Sequence, residues 1–187
     1  MRHLPFLVAI FTLLSCGVVG AQGADECANA QPIALTATGS LTVQVDNSAA
    51  TDSNPALPDS TICVGGDMGT VNADVWFSWT APSDGAVSFS TCANVQFDTS
   101  LIMYDAAGGC GALVELACSG DGGDSCGFAC ANFGSNMANV PVLGGESYLI
   151  RVGGFDAASI GVTDMEVSDR KSTRLNSSHA NISYAVF

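Results

Sequence analysis

The segment 74–90 carries the pattern that most restricts the fold of this chain. Apolar residues alternate with other residues at Val75, Phe77 and Trp79, and again at Val87 and Phe89. A period of two is typical of strands that bury one face, so these five side chains are expected to face a core. The intervening Pro-Ser-Asp-Gly sequence predicts a turn, and therefore a hairpin formed by the two strands.

Seven further short segments predict strands, because they are apolar and are separated by Gly, Asp, Asn and Pro. They are residues 33–38, 41–45, 101–104, 113–117, 138–143, 148–152 and 162–167. No segment predicts a helix convincingly. Short strands at this spacing predict an all-β sandwich of about eight or nine strands.

Residues 1–21 predict a signal peptide. Arg2 and His3 precede an apolar run that ends at Leu14, and small residues follow up to Ala21. The run is shorter than the roughly 20 residues that a membrane-spanning helix needs. An alternative is a lipoprotein box at residues 13–16, in which Cys16 is acylated and anchors the protein. Both interpretations predict a secreted or cell-surface protein without a transmembrane segment.

The segment 169–187 resembles the translation of a short-read sequencing adapter. It reads DRKSTRLNSSHANISYAVF, with a variable pair, Ala180 and Asn181, where an index would lie between the fixed parts. The alternative is a genuine basic tail. The prediction is therefore one domain at residues 22–168, followed by an artefactual segment at 169–187.

The domain at 22–168 is strongly acidic. It contains thirteen Asp and four Glu against one basic residue, Arg151, a formal net charge of −16. Nucleic acids and anionic membranes bind clustered Lys and Arg, so neither is an expected partner. Both histidines, His3 and His179, lie outside this domain, which excludes histidine-based triads and histidine-ligated metals within it.

Seven cysteines remain after residue 21, and in an exported protein they predict disulfides. The most economical pairing is sequential: Cys27 with Cys63, Cys92 with Cys110, and Cys118 with Cys126. Cys130 is then left outside any intrachain bridge. Other connectivities stay open, as does a zinc site at residues 118, 126 and 130, although the spacing lacks the usual paired knuckles.

Several motifs occur in the order of a known type of domain. The segments ADECANAQPIAL, DVWFSWTAPSDGAVSFSTC, FDTSLIMYDAAGGCG, LVELACSGDG and GGESYLIRVGGF resemble a module of large secreted proteins of environmental bacteria. They are also distantly similar to the pre-peptidase C-terminal β-sandwich domain. The resemblance covers about residues 24–167 and departs from the pattern at CGFACANFGSN. It implies a jelly-roll-like sandwich with a non-catalytic accessory role.

Three candidate sites follow from the residue types. Trp76 lies on the polar face of its strand, where it could stack on a ligand or be buried under a neighbouring strand or loop. Arg151 could receive an acidic ligand or pair with nearby carboxylates. Glu115 and Glu146 are the best candidates for a two-carboxylate hydrolase, but they are isolated in ordinary strand contexts.

Calcium is the expected cofactor, with four carboxylates as ligands: Asp98, Asp105, Asp121 and Asp124. The first two bracket one predicted strand, and the others lie in a Gly-rich loop that could also offer carbonyl oxygens. The alternative is that all four are ordinary turn residues.

The function expected from these features is that of a non-catalytic extracellular binding or accessory module. Its expected partner is an extracellular polysaccharide or protein, with a covalently linked enzyme or further repeat domains as another possibility. The alternatives are a structural repeat of a surface or matrix protein and a carboxylate-dependent hydrolase.

Overall fold

The computed structural model describes residues 23–53, 63, 68, 70–121 and 133–171. Nine strands lie in these ranges: β1 (Gln31–Pro32), β2 (Gly39–Asp46), β3 (Asn72–Thr80), β4 (Gly85–Ser90), β5 (Thr99–Asp105), β6 (Val114–Ser119), β7 (Asn136–Val142), β8 (Ser147–Gly154) and β9 (Val162–Lys171). Short 3₁₀ helices lie at Cys27–Asn29 and Gly109–Gly111, and no α-helix occurs in the described residues.

The strands form two sheets. One has the order β1-β3-β8-β5-β6 and the other β2-β9-β4-β7. Every pair is antiparallel except the short β1–β3 pair, which is parallel. The predicted all-β, disulfide-stapled sandwich is confirmed.

The main core lies between the two sheets. All five residues expected to face it do so: Val75, Phe77, Trp79, Val87 and Phe89. The Trp79 ring meets Phe89 edge-on, with 6.3 Å between ring centroids, and lies 6.0 Å from Tyr148. Buried side chains of β5, β8 and β9 complete the layer, so the alternating pattern identified the inward face correctly.

The predicted hairpin of β3 and β4 is wrong, because these strands lie in different sheets. In a hairpin both apolar faces would lie on the same side of one sheet. Here the chain crosses from one sheet to the other after Thr80, and the two apolar faces oppose each other across the core. Backbone bonds tie the crossing to the turn before β8: the Ala81 N–H donates to the Glu146 carbonyl, and the Gly145 N–H donates to the Ala81 carbonyl.

The strand predicted at residues 33–38 is also wrong. The residues that pair with β3 are Gln31 and Pro32, which precede this segment. The Ile33 N–H still donates to the Ser78 carbonyl at 2.8 Å, and the Trp79 Nε1–H donates to the Leu35 carbonyl at 3.1 Å. The Trp79 side chain thus bonds the Leu35 carbonyl, which a longer strand would use for backbone pairing. The chain then turns away towards β2.

Strand β9 extends beyond its predicted end. It continues from Val167 to Lys171, with Asp169 opposite Gly39 of β2 and Lys171 opposite Gly85 of β4. Three residues of the segment 169–187 therefore lie in the sheet. The adapter origin of that segment stays a prediction, and residues 172–187 and the predicted signal peptide at 1–21 lie outside the described residues.

The outward face of the five-stranded sheet carries a second apolar cluster, here called the outer cluster. Its buried members are Met68, Val71, Trp76, Ile102, Tyr104 and Leu149. Residues outside the regular strands pack on it, including Cys27, Ala30 and Cys63. Just before them, Ala24 pairs with the Trp76 backbone at the edge of the sheet. A sheet in a two-layer sandwich would ordinarily leave this face to solvent, so these residues form a third, partial layer.

The disulfide pairing differs from the sequential prediction. Cys27 bonds Cys110 and Cys63 bonds Cys118, over sequence separations of 83 and 55 residues. Cys92 is also disulfide-bonded, so all five described cysteines are oxidised. The sequential rule fails because it minimises loop length, whereas the fold brings Cys27 and Cys63 onto the outer cluster, against which Cys118 of β6 also packs. Cys126 and Cys130, and the zinc alternative that needs them, lie outside the described residues.

Candidate functional site at the loop end

Four connections meet at one end of the sandwich, here called the loop end. They are β2–β3, β4–β5, β6–β7 and β8–β9. The strand register places them together, because Asn72 and Thr99 both lie opposite Gly154, and Asp46 lies opposite Val162. Connections between strands lie at the surface and commonly carry binding residues. The described parts of these connections carry exposed polar side chains that are joined by hydrogen bonds.

A hydrogen-bonded amide network lies on this end. The Gln96 Nε2–H donates to Asn94 Oδ1 at 3.0 Å, and the Asn94 Nδ2–H donates to Asp164 Oδ2 at 3.1 Å. The Thr163 hydroxyl fixes the loop by donating to the Asn94 carbonyl at 2.8 Å. Asn94 and Gln96 are exposed. The network presents amide N–H, amide oxygen and carboxylate groups in one place, which suits a polyhydroxylated ligand.

An apolar surface adjoins the network. Val162 and Asp164 are two residues apart on β9, so they lie on the same face of the sheet. Val162 is 41% exposed and Ile160, in the preceding turn, is 46% exposed. The turn is held by Asn47, whose Oδ1 accepts the Gly161 N–H and whose Nδ2–H donates to the Ser159 carbonyl. Apolar side chains beside hydrogen-bonding groups are the usual composition of a small-ligand site.

Two of the predicted calcium ligands come together at the loop end. Burial, together with the smaller effect of the nearby Asp121 and Asp156 carboxylates, raises the pKa of Asp98 to about 6. The buried Asp98 Oδ1 has no hydrogen-bond partner. The Asp156 carboxylate accepts hydrogen bonds from the Ser159 hydroxyl and the Ala158 N–H of its own turn, and these bonds lower its pKa. Asp156 was not predicted, since an Asp in a turn has no distinctive sequence signal.

The other two predicted ligands do not join them. Asp105 ends β5 at the opposite side of the sandwich, about 20 Å from the start of that strand, and its Oδ1 accepts the Ala107 N–H of its own turn. Asp105 is therefore a turn residue and cannot share a site with Asp98. Asp124 lies outside the described residues. Within the described residues, no three His, Cys, Asp or Glu side chains are grouped so that they could hold a metal ion.

Trp76 is buried, so its predicted role as an exposed stacking platform is wrong and the alternative of burial is confirmed. It is 0% exposed and stacks on Tyr104 with 5.8 Å between ring centroids. Its Nε1–H donates to the Ser53 hydroxyl at 2.8 Å. The alternating pattern correctly placed Trp76 on the outward face of the sheet. The third, partial layer covers that face and excludes solvent from Trp76.

Arg151 pairs with a carboxylate, as the second interpretation of this residue predicted, but the pair is buried. Its Nε–H donates to Asp74 Oδ2 at 2.8 Å, and its guanidinium lies 5.8 Å from the Trp76 ring centroid. Asp74 also accepts the Ser53 N–H and hydroxyl. The lone basic residue of the 22–168 domain is thus used inside the protein and is not a receptor for an acidic ligand.

The hydrolase candidates occupy different elements. Glu115 lies in β6 opposite Tyr104, whereas Glu146 lies in the turn before β8, and β5 separates these strands. Neither residue is part of the loop end.

No described helix is long and apolar enough to span a membrane.

Comparison with known families adds to this geometry. A family model described as galactose binding domain-like, and associated with the bacterial secretion system T9SS, matches residues 23–167. The chain belongs to this family. The galactose-binding-domain-like match covers the whole described sandwich up to Val167, and it is a different family from the pre-peptidase C-terminal domain that the motifs resembled. No curated protein matches the chain significantly. The family and the disulfides together indicate an extracellular or cell-surface binding or accessory module.

Proposed function

We propose that this chain is a non-catalytic carbohydrate-binding module of an exported bacterial protein, and that it holds its ligand at the loop end. The observation that carries the proposal is the exposed Asn94–Gln96–Asp164 network beside Val162 and Ile160. Planar amides and a carboxylate can exchange hydrogen bonds with sugar hydroxyls, while apolar side chains cover the C–H face of a ring. The family description supports a saccharide over a protein as ligand.

The test is binding of galactose-containing oligosaccharides, first on a glycan array and then by titration calorimetry. The double variant Asn94→Ala/Gln96→Ala is expected to weaken binding about tenfold or more, since each lost hydrogen bond contributes about 1 kcal/mol. Gln31→Ala is the matched control, because Gln31 is an exposed amide on the other sheet. Absence of saccharide binding by the folded chain would favour the structural-repeat function instead.

Calcium is proposed as a stabilising ligand at the same end. Asp98 has a buried, unpartnered oxygen and is close enough to Asp121 and Asp156 for their charges to raise its pKa. A divalent cation would relieve this repulsion and could take further oxygens from the neighbouring backbone. Asp98 and Asp121 are the proposed ligands that the structure describes.

Thermal melts in millimolar calcium and in excess chelator test this second proposal. At a hundred times the dissociation constant, binding is expected to stabilise the fold by about 2.7 kcal/mol. Asp98→Asn should abolish the difference, whereas Asp105→Asn should keep it. Superimposable melts of the unsubstituted chain in calcium and in chelator would contradict the calcium proposal.

The finer assignments remain proposals. Kinship with pre-peptidase C-terminal domains, cleavage after Ala21, a lipid anchor at Cys16 and a linked enzyme or repeat domain are each compatible with an exported accessory module. Mass spectrometry of the protein secreted from its host would identify the mature N-terminus and any acyl group.

A further inference from the structure

Phe133 is an exposed aromatic side chain at the loop end, in the connection between β6 and β7. It is 52% exposed, and it is the only aromatic among the exposed large apolar residues of the ranges that the structure describes. The other described aromatic side chains are buried or half-buried. A single exposed apolar residue is ordinary on a protein surface, so the meaning of Phe133 depends on where and how it is held.

The backbone that carries Phe133 is fixed to the start of β5. The Phe133 carbonyl accepts the Thr99 N–H at 2.9 Å and the Thr99 hydroxyl at 3.3 Å. Two residues later, the Ser135 N–H donates to the hydroxyl oxygens of Thr91 and Thr99 at 2.8 and 3.1 Å. Thr91, Thr99 and Ser135 are fully buried, so water competes little for these bonds. The aromatic ring is therefore presented on a fixed backbone, which lowers the entropy cost of binding a ligand.

Phe133 and the apolar side chains of the proposed site lie on opposite sides of the β4–β5 connection. Val162 and Ile160 belong to β9 and the turn before it, whereas Phe133 lies just before β7. In the sheet order β2-β9-β4-β7, strand β4 separates β9 from β7. Two strand spacings of about 4.8 Å each place the two apolar surfaces about 10 Å apart. The exposed amides of Asn94 and Gln96 are between them, on the connection that leaves β4. One sugar ring cannot contact both surfaces, but a linear oligosaccharide can.

The charges of the loop end disfavour an anionic sugar. Asp164 is part of the amide network, and Asp156 is exposed in the β8–β9 connection. The basic side chains of the described ranges lie elsewhere: Arg151 is buried in its ion pair, and Arg170 and Lys171 end β9, whereas the loop end lies at the start of that strand. A sulfate or uronate group would therefore meet carboxylates without a compensating cation.

We propose that the loop end binds a neutral oligosaccharide of two or more sugar rings, and that Phe133 is the stacking surface for the ring farther from β9. This inference rests on the proposed carbohydrate-binding function and adds the length of the ligand. One ring exchanges hydrogen bonds with the amides of Asn94 and Gln96 and covers Val162 and Ile160. The saccharide then crosses the β4–β5 connection, and the C–H face of a second ring packs on the Phe133 side chain.

Titration calorimetry of the full chain with galactose and with galactotriose tests the length preference. The unsubstituted chain is expected to bind galactotriose about tenfold more tightly, because stacking of the second ring buries additional apolar surface. Phe133→Ala should remove this preference, so that galactotriose binds no more tightly than galactose, whereas Phe133→Trp should keep it. Leu143→Ala is the matched control, because Leu143 is 63% exposed in the turn between β7 and β8, at the opposite end of the sandwich. It should keep the preference.

The same titrations separate this inference from the function on which it rests. Asn94→Ala/Gln96→Ala should weaken binding of both sugars, whereas Phe133→Ala acts on the longer one. Sulfated galactotriose should bind more weakly than the neutral trisaccharide, and tighter binding would contradict a neutral ligand. Equal affinities of the unsubstituted chain for galactose and galactotriose, or a preference that survives Phe133→Ala, would overturn the inference and leave the carbohydrate-binding function in place. Binding of neither sugar would overturn both.

Discussion

At the residue scale, the buried pair of Asp74 and Arg151 organises the outer cluster. Both side chains are almost fully buried, and the carboxylate takes three donors, from the Arg151 guanidinium and from the N–H and hydroxyl of Ser53. The guanidinium also donates to the Val71 carbonyl at 3.3 Å. Val71 has a left-handed φ of 47°, an uncommon conformation for a β-branched residue. The pair therefore fixes a strained segment at the start of β3.

Replacing Asp74 by Asn is expected to lower the free energy of unfolding by about 3–5 kcal/mol, because the Arg151 charge stays buried without compensation. Urea denaturation followed by circular dichroism measures the change. Asp84→Asn is the matched control: Asp84 is exposed, and an Asn at that position can still accept the Gly144 N–H. Equal stability of the two variants would show that the pair contributes nothing beyond a surface interaction.

Asp169 is a second buried carboxylate, but within the described residues no basic side chain pairs with it. It is 2% exposed, both of its oxygens lack hydrogen bonds, and it continues the inward series of Thr163, Met165 and Val167 along β9. The pattern calls for an apolar residue at this position. The adapter interpretation of the segment 169–187 gives a reason for the mismatch.

Asp169→Val is accordingly expected to raise the free energy of unfolding by about 1–3 kcal/mol, the cost of an unsatisfied buried polar group. Glu166→Val, on the exposed face of the same strand, should change it by less than about 0.5 kcal/mol. A melt that shows no gain for Asp169→Val would mean that this end of β9 is not packed against the core.

At the element scale, β4 and the end of β9 lie so close together that adding one methyl group to β4 tests their contact. A Cβ added at Gly85 would lie 2.1 Å from the Arg170 carbonyl oxygen, whereas at Gly111 it would meet nothing within 4 Å. The close approach exists only because β9 continues past Ser168.

Gly85→Ala is therefore expected to lower the melting temperature, and Gly111→Ala to leave it nearly unchanged. The same two variants in a chain that ends at Ser168 separate a clash with β9 from strain in the preceding turn, because the Arg170 carbonyl is then absent. If Gly85→Ala is equally harmful in both chains, the penalty comes from the turn at residues 82–85 and not from the strand pairing.

At the scale of the whole molecule, the excess of carboxylates makes stability depend on pH. Burial, together with Asp121 and Asp156, raises the pKa of Asp98 to about 6, and burial raises the pKa of Asp169. A carboxyl with a raised pKa binds its proton more tightly in the folded state than in the unfolded state. Its contribution to stability is therefore complete below the ordinary value of 3.8 and is lost as pH rises through the folded pKa.

The melting temperature in the presence of chelator is expected to be higher at pH 4.5 than at pH 7.5. The lowered pKa values of Asp46 and Asp156 act in the opposite sense, but only below the ordinary value. Asp98→Asn should reduce the difference, and Asp105→Asn should preserve it. A melting temperature that rises towards pH 7.5 would contradict the burial of these carboxyls.

The sequence by itself determined the fold class and the faces of the strands. The alternation at 74–80 is a local property of the backbone, because successive side chains point to opposite sides of a strand whatever the strand pairs with. Three features of the 22–168 domain likewise limited the possible functions: its charge, its lack of histidine and its cysteine content. Together they predicted an exported, acidic module. These inferences needed no knowledge of which strands are neighbours.

Only the tertiary structure decided which distant residues meet. The hairpin of β3 and β4 was wrong because a local turn signal does not show whether the chain stays in its sheet or crosses to the other. Pairing of Cys27 with Cys110, burial of Trp76 and separation of Asp105 from Asp98 all depend on contacts between segments far apart in sequence. The amides at Asn94 and Gln96 resemble any polar loop residues until the packing of β9 brings Asp164 beside them.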